Sequence, residues 1–336
     1  MDDKRIEQAG AGEAALSISG LRTALKTKDG VLYPVDGVDL EIPKGKIVGL
    51  VGESGCGKSM MANSIMNLLP KNGYVEEGSI LFKGMDLASC HEKEKRKLYG
   101  DRITLIFQDP MTSLNPVLRV GKQVEEVLRL HKPVSHEEAK KQVIEMFYSL
   151  GIPEPERRYS SFPHQLSGGL RQRVMISAAM VCRPDVLIAD EPTTALDVTI
   201  EAQILKLMKR LQREEGAAVL LITHDLGVVA EVCDLVYVMY GGKIVESAPV
   251  RELFHNPVHP YTRGLLGSLP SRNQGRHLKS IPGMVPTLNQ MPAGCRFAPR
   301  CEFAQACCRD KAPEMERAGE GHYAACWING KEGEHG

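Results

Sequence analysis

The sequence predicts an α/β fold built on a largely parallel β-sheet, and three observations support this prediction. Four short apolar runs indicate buried strands, at residues 46–52, 185–190, 217–223 and 235–240. Helical patterns separate them, with helices predicted at 60–69 and 201–213. The first strand runs directly into the glycine-rich turn GESGCGKS, residues 52–59. Because parallel strands need crossover connections, alternating strands and helices favour a parallel sheet.

The segments around this core follow other patterns. Residues 15–50 alternate apolar and polar positions with Gly and Pro breaks, which predicts short strands. A helical insert is predicted at about 115–160, where apolar residues recur at helical spacing, namely Ala139, Val143, Ile144, Phe147 and Leu150. Residues 255–300 are rich in Pro and Gly and predict a small irregular appendage. The expected organisation is a loose tail (1–14), a main domain (15–250) with a helical lobe (about 115–170), and a C-terminal region (251–336).

Composition and charge narrow the possible classes of function. The chain has 336 residues, with 42 basic and 42 acidic side chains and a formal net charge of zero. Nothing in this balance favours a partner such as nucleic acid. No run approaches the ~20 apolar residues of a membrane span, and the first residues lack the pattern of a signal peptide. We therefore expect a cytosolic protein whose thiols stay reduced.

The glycine-rich turn matches the phosphate-binding motif G-x-x-x-x-G-K-[ST], in the strand–turn–helix context that this motif requires. Its glycines let backbone N–H groups face phosphates, and the following helix adds its dipole. Lys58 is predicted to reach the β- and γ-phosphates, and Ser59 to hold Mg²⁺. A chance glycine-rich turn is the alternative, which the flanking elements disfavour. The residues predicted to contact ATP here are Gly52, Ser54, Gly55, Cys56, Gly57, Lys58, Ser59 and Met60.

The segment DVLIADEP (185–192) supplies acidic groups at the end of a second predicted strand. Asp190 is predicted to bind the magnesium, and Glu191 to polarise an attacking water. Phosphoryl transfer depends on such placement and charge compensation more than on covalent chemistry by the protein. The alternative is that the two acidic residues only cap a turn. The phosphate loop earlier in the sequence favours the catalytic interpretation over this one.

Further motifs resemble those of ATP-binding-cassette (ABC) proteins. LSGGLRQR (166–173) resembles their signature motif, and its Ser167 lies 23 residues before Asp190. In the family this motif, here Ser167, Gly168 and Gly169, grips the γ-phosphate held by the partner subunit's phosphate loop. The resemblance also makes Gln108 the Q-loop residue near Mg²⁺ and the attacking water, Asp197 the D-loop residue at the dimer seam, and His224 the switch histidine near the γ-phosphate. It implies an ABC-type fold with a RecA-like core, an antiparallel β lobe and a helical signature lobe.

One family element leaves two interpretations open. ABC proteins stack adenine on an aromatic side chain ahead of the phosphate loop. Tyr33 is the only aromatic residue between positions 1 and 73. Its register is shifted toward the strand, so Tyr33 either stacks on adenine or packs as a strand residue.

The sequence also resembles the ATPase subunits of bacterial dipeptide and oligopeptide importers. The segments IFQDPMTSLNP, SFPHQLSGG, ITHDLGVVAEVCD and the tail box NPVHPYTRGLLGSLP (256–270) carry this resemblance. It implies a peripheral subunit on the cytoplasmic face of the cell membrane that hydrolyses ATP beneath two transmembrane permeases. A second related ATPase and an external peptide-binding protein would complete the system, and the segment between Gln108 and Val120 would accept a permease helix.

Other members of the family remain as alternatives. An exporter cassette is commonly fused to membrane helices, and a soluble ABC ATPase acting on nucleic acid or ribosomes usually has two cassettes or a coiled-coil insertion. The sequence has neither feature. The cargo itself stays open, because nickel chelates and other small solutes serve some relatives.

Four cysteines near the C-terminus form a candidate metal site. Cys295, Cys301, Cys308 and Cys326 are spaced C-x5-C-x6-C-x17-C. Four thiolates suit either an iron–sulfur cubane or tetrahedral Zn²⁺, and Cys307 is an adjacent extra thiol that could replace Cys308. The resemblance to peptide-importer ATPases implies a [4Fe–4S] cluster, whereas disulfides and unligated thiols are the other possibilities. We expect a structural role, since a small segment without a core of its own needs a staple.

Overall fold

The strands and helices alternate along the chain in the computed structural model, which describes residues 14–108, 113–193, 198–269 and 281–328. Its strands are β1 (Ala14–Thr27), β2 (Gly30–Pro43), β3 (Ile47–Val51), β4 (Gly73–Phe82), β5 (Met85–Asp86), β6 (Ile103–Ile106), β7 (Val186–Asp190), β8 (Ala218–Thr223), β9 (Leu235–Tyr240), β10 (Lys243–Pro249), β11 (Glu316–Gly319) and β12 (His322–Ala324). Its helices are α1 (Lys58–Ile65), α2 (Glu92–Leu98), α3 (Val120–His131), α4 (His136–Ser149), α5 (Pro155–Tyr159), α6 (Gly168–Met180), α7 (Val198–Glu215), α8 (Leu226–Val232), α9 (Val250–His255), α10 (Pro260–Gly267) and α11 (Ala306–Asp310).

The described residues form two compact units. The first unit comprises residues 14–43, 48–84, 223–269 and 281–328. The second unit comprises residues 44–47, 85–108, 113–193 and 198–222. Within these ranges, no helix has the length and apolar character that crossing a membrane would take.

An antiparallel sheet in the first unit places β1 between β2 and β4. The sequence predicted several short strands at 15–50, whereas β1 and β2 each run for 14 residues. Gly20 and Gly37 explain the difference, because both have positive φ (58° and 66°) and lie where the pairing register of the two strands shifts. The glycines therefore mark bulges inside continuous strands, not strand ends.

A second set of strands in the first unit mixes parallel and antiparallel pairing. β3 pairs parallel with β9, and β9 pairs antiparallel with β10. β10 then pairs with β12, and β12 with β11. β3 is buried along its whole length, as the apolar run KIVGLVG predicted.

The second unit combines a parallel sheet with a group of helices. β7 lies between β6 and β8, parallel to both, and every residue of β7 and β8 is buried. α3 packs against α4 and α6. The residues predicted at helical spacing behave as expected, because Ala139, Val143 and Phe147 have no exposed surface. The α/β class is thus confirmed, and helices α3, α4 and α5 lie in the range where the helical insert was predicted.

The C-terminal segment, defined here as residues 281–328, has more regular structure than its composition predicted. β11 and β12 continue the strand series of the first unit through β10. Phe297 contributes to an aromatic cluster with Tyr240 and Tyr261, at ring-centre distances of 5.2 and 5.3 Å. Short strands and a few buried aromatics escape detection by periodicity, so this part of the fold was not predictable from pattern alone.

Candidate functional site

The phosphate loop joins β3 to α1 in the first unit, as the motif predicted. α1 begins at Lys58, two residues before the predicted start, and its N-cap Gly57 has φ 110°. A Cβ atom at Gly57 would lie 2.1 Å from the Pro34 carbonyl oxygen, and one at Gly52 would lie 2.2 Å from that of Met239. Both positions therefore require glycine, because the neighbouring backbone leaves no room for a side chain.

Lys58 is buried and bonds to the loop that it follows. Its Nζ donates to the carbonyl oxygens of Gly52 (2.8 Å) and Glu53 (3.0 Å). Burial raises the pKa of the Cys56 thiol, which lies inside the loop. Cys56 thus acts as a small neutral spacer, whereas Ser54 and Gly55 are exposed at the loop surface. Ser59 and Met60 are half-buried in the first turn of α1.

The first unit also supplies neighbours of the loop that sequence reasoning missed. Arg300 donates to both carboxylate oxygens of Glu53, at 2.6 and 3.1 Å. The backbone N–H of Glu53 donates to the hydroxyl oxygen of Tyr261 at 2.8 Å. These contacts join residues more than 200 positions apart, and neither Arg300 nor Tyr261 belongs to a nucleotide-binding motif.

Tyr33 lies half-buried in β2, with one face of its ring already covered. The guanidinium carbon of Arg22 lies 4.7 Å from the ring centre, a cation–π distance. The phenol hydroxyl donates to Glu76 at 3.5 Å. Tyr33 is therefore a strand residue whose ring is held by contacts with Arg22 and Glu76.

In the second unit, the acidic groups lie at the end of β7 and immediately beyond it. Asp190 ends the strand and is 8% exposed. Glu191 follows with φ 47°, a left-handed conformation that is uncommon for a residue with a side chain. Its N–H donates to the Ile222 carbonyl oxygen at 2.9 Å, and Gln108 Nε2 donates to its carboxylate at 2.9 Å. Glu191 and Gln108, predicted from separate motifs, are thus in direct contact.

The signature residues open helix α6 in the second unit. Ser167 is the N-cap, and its hydroxyl oxygen accepts from the N–H of Leu170 at 3.4 Å. Ser167 and Gly168 are exposed, so this helix end is accessible to a ligand from outside the unit. Gln172 Nε2 donates to the Pro192 carbonyl oxygen at 2.5 Å, which links the helix to the turn after Glu191.

The remaining predicted residues are divided between the units or lie outside the described ranges. His224 is exposed and directly follows β8, in the first unit with the phosphate loop and Tyr33. The next residue, Asp225, caps helix α8 by accepting from Gly227 N–H at 2.7 Å. Gln108, Asp190, Glu191 and the signature residues belong to the second unit. Asp197 lies outside the residues that the structure describes.

The four predicted cysteine ligands lie together in the C-terminal segment. Cys295 N–H donates to the Cys308 carbonyl oxygen at 2.8 Å. Burial raises the pKa values of Cys295, Cys301 and Cys326, and the neighbouring thiols of the set raise them further. Cys307 is exposed, in contrast to the buried Cys308, so Cys308 is the member of that pair that faces the other thiols.

Two observations limit the alternatives at this site. All nine cysteines are free thiols, which excludes the disulfide interpretation for this structure. Within the described residues, no group of three or more His, Cys, Asp or Glu side chains is arranged so that it could hold a single metal ion.

Comparisons with known proteins agree with the geometry. A model of the ABC transporter family matches residues 35–194, and a model of the oligopeptide/dipeptide transporter C-terminal region matches residues 245–308. The chain is 48% identical over 326 residues to the probable peptide ABC transporter ATP-binding protein of Sinorhizobium fredii, which covers 96% of this chain and 97% of that protein. It is 48% identical over 325 residues to the dipeptide transport ATP-binding protein DppD of Bacillus subtilis, and this match also covers 96% of this chain and 97% of that protein.

Solved structures give the same result for the cassette. A dimeric ATP-binding cassette, MJ0796, bound to ADP and phosphate in a post-hydrolysis state, matches with a TM-score of 0.65 and 29% identity. The match covers 70% of this chain and 99% of that chain. The chain therefore belongs to the ABC transporter family of ATP-binding proteins, and its activity is ATP hydrolysis.

Proposed function

We propose that this chain is the ATP-hydrolysing subunit of an importer for dipeptides and oligopeptides, bound peripherally at the cytoplasmic face of the cell membrane. The observation that carries the proposal is the match of residues 245–308 to the oligopeptide/dipeptide transporter C-terminal region. Relatives named for dipeptide and for oligopeptide transport, each 48% identical, support the same cargo class. If this ABC ATPase had another function, the presence of a peptide-transporter C-terminal region would be unexplained.

The proposed partners are two transmembrane permeases, a second homologous ATPase and, indirectly, an extracytoplasmic peptide-binding protein. Phe107, Val117 and Leu118 are 44%, 74% and 43% exposed. Phe107 directly precedes the segment expected to receive a permease, and Val117 and Leu118 lie near the end of that segment. Exposed apolar side chains of this kind favour a protein contact over solvent. The exposed end of α6, with Ser167, Gly168 and Gly169, would bind the γ-phosphate of ATP held by the partner ATPase.

In the proposed cycle, each residue predicted from the motifs has a separate task in binding or hydrolysing ATP. Lys58 exchanges its carbonyl contacts for the phosphates, and Tyr33 carries the adenine on the ring face that Arg22 leaves open. Glu191 accepts a proton from the water that attacks the γ-phosphorus, while the bond to the ADP oxygen breaks. Gln108 orients the Glu191 carboxylate, and His224 and the partner's D-loop, which corresponds to Asp197 here, would complete the closed site.

The proposal includes a magnesium ion, for which the chain offers three predicted ligands. Ser59, Asp190 and Gln108 offer the oxygen atoms that Mg²⁺ prefers. When bound, the ion would offset the phosphate charge during transfer.

A [4Fe–4S] cluster is the cofactor that we propose for the C-terminal segment, held by Cys295, Cys301, Cys308 and Cys326. Zinc would need four sulfurs at about 2.3 Å from one ion, and no three described side chains are arranged to hold a single ion. A cubane binds one thiolate at each of its four iron atoms, so the sulfurs need not converge on one point. The thiols of this set raise one another's pKa, and all nine cysteines are free, which supports this donor set.

Uptake of a labelled peptide tests the proposed cargo. Cells that lack this gene should accumulate a labelled dipeptide or oligopeptide only when the wild-type chain is returned. Lys58→Ala should fail to restore uptake, since the phosphate contacts are lost, whereas the exposed Lys141→Ala should restore it fully. Uptake that does not depend on this gene would contradict the proposed cargo without contradicting ATP hydrolysis.

A further inference from the structure

Arg300 of the C-terminal segment bonds directly to the phosphate loop. Its guanidinium donates to both oxygens of the Glu53 carboxylate, and its side chain is 4% exposed against 30% for Glu53. Arg300 Nε also donates to the Pro282 carbonyl oxygen at 2.9 Å, within the same segment. Bidentate arginine–carboxylate pairs fix both distance and angle. The position of the loop at Glu53 therefore depends on the folded C-terminal segment.

Arg296 reaches the other end of the proposed nucleotide site through a short chain of charges. Its guanidinium bonds to the Asp36 carboxylate and to the Gly241 carbonyl oxygen. Arg22 Nε donates to the same Asp36 carboxylate at 2.8 Å, and Arg22 covers one face of the Tyr33 ring. The orientation of Tyr33 is thus connected to the C-terminal segment as well.

These two arginines are close neighbours of two of the cysteines. Arg296 directly follows Cys295, and Arg300 directly precedes Cys301. The turn between them is short, with Ala298–Arg300 forming a single 3₁₀ turn. A fold that fixes the cysteines therefore fixes both arginines at the same time.

Charge gives the Arg300 contact a consequence for ligand binding. Glu53 is part of a loop that must accept a polyanion, and an uncompensated carboxylate there would repel the phosphates. Arg300 removes most of that repulsion and holds the carboxylate in one place. Without Arg300, the loop would keep a negative charge with no fixed partner.

We propose that Arg296 and Arg300 are positioning residues through which the C-terminal segment sets ATP affinity: Arg300 at the phosphate end, by way of Glu53, and Arg296 at the adenine end, by way of Asp36, Arg22 and Tyr33. The proposal rests on ATP binding and on the adenine contact of Tyr33. It is independent of the cargo, so a failed uptake experiment would leave it standing.

Equilibrium binding of ATP and of inorganic tripolyphosphate to the purified full chain tests the proposal. Arg300→Gln should weaken both ligands about tenfold, because both carry the phosphates that Glu53 then repels. Arg296→Gln should weaken ATP to a similar degree but leave tripolyphosphate within about twofold of wild type, because the contacts from Arg296 through Asp36 and Arg22 to Tyr33 lead to the base. The exposed Arg309→Gln in the same segment is the control and should change neither affinity.

A double variant separates positioning from a general loss of fold. Glu53→Gln removes the repelling charge, so Glu53→Gln combined with Arg300→Gln should recover most of the affinity lost in Arg300→Gln alone. Should Arg300→Gln not fold, Arg300→Lys keeps the charge but loses the bidentate geometry, and it should bind ATP about threefold more weakly. Wild-type affinity in a folded Arg300 variant, or a double variant as weak as the single one, would overturn the proposal.

Discussion

Glu191 shows at the residue scale how this site holds a reactive group in place. Its backbone is in the left-handed region at φ 47°, and its N–H is bonded to Ile222. Such conformations cost of order 1–3 kcal/mol and persist only when the surroundings hold them. Here the carboxylate also accepts from Gln108. Two separate contacts therefore define where the proposed general base lies, and neither can be deduced from the ADEP letters alone.

The cysteines allow a prediction at the same scale, because Cys301 and Cys307 differ in surroundings. Cys301 lies among the other thiols, whereas Cys307 is exposed. Cys301→Ser should therefore abolish most of the iron bound by anaerobically purified protein and make residues 281–328 more sensitive to protease. Cys307→Ser is the matched control and should retain both iron and protease resistance. Elemental analysis and limited proteolysis measure the two effects, and equal iron in both variants would contradict the proposed ligand set.

Motif residues and their contacts differed in how far the sequence predicted them. Roles could be predicted for Lys58, Ser59, Asp190 and Glu191, because phosphate and magnesium chemistry restricts both residue type and spacing. Arg300 could not, since it lies 247 positions from Glu53 and an arginine in a Pro-rich segment carries no spacing signal. Long-range ion pairs of this kind become visible only once the fold brings the partners together.

At the scale of elements, a buried carboxylate organises the helices of the second unit. Glu125 of α3 is 2% exposed and accepts hydrogen bonds from Lys122, from the His136 ring and from the Tyr159 hydroxyl. Burial alone would raise the pKa of Glu125, but these partners lower it to about 2. Glu125 thus links α3 with the start of α4 and the end of α5.

Glu125→Gln should lower the free energy of unfolding at neutral pH by about 1–3 kcal/mol, the cost of weakening a buried charged network. The folded-state pKa lies below the ordinary 4.5, so the carboxylate stabilises the fold above pH 4.5. This stabilisation is lost as the pH falls toward 2. Urea unfolding of wild type and variant should therefore converge over that range.

The exposed neighbour Glu126→Gln is the control for this prediction. It should leave the free energy of unfolding nearly unchanged at every pH. A Glu125→Gln deficit that stays constant between pH 7 and pH 3 would contradict the assigned charge state.

A comparison of predicted and observed element boundaries shows which elements can be located from the sequence. The buried strands β3, β7, β8 and β9 carry continuous apolar runs and were located correctly. The sequence predicts short strands at 15–50 where the structure has bulges at Gly20 and Gly37, because a glycine with positive φ has the same sequence signature in a bulge as in a turn. β11 and β12 are only four and three residues long, too short for any periodicity to register.

At the scale of the whole molecule, the chain is an ABC ATPase whose predicted site residues are distributed along the sequence. Phosphate-binding and acidic residues belong to two different compact units. The signature end of α6 is exposed, and in the proposed function it binds ATP held by a partner ATPase. The rate of ATP hydrolysis by this chain should therefore depend on its partners. If the proposed function is right, the rate also depends on the presence of a peptide to be transported.

The ATPase rate of the purified complex, with both ATPase subunits and both permeases in lipid, tests this central claim most directly. We predict that the ATPase rate rises severalfold when the peptide-binding protein is added together with its peptide. The rate should rise only slightly when the binding protein is added without peptide. Glu191→Gln should still bind ATP but lower the stimulated rate by about 10²-fold or more, because the proton acceptor is lost. An ATPase rate that does not change when the peptide-loaded binding protein is added would contradict this claim. Unchanged turnover by the Glu191→Gln complex would contradict the role proposed for Glu191.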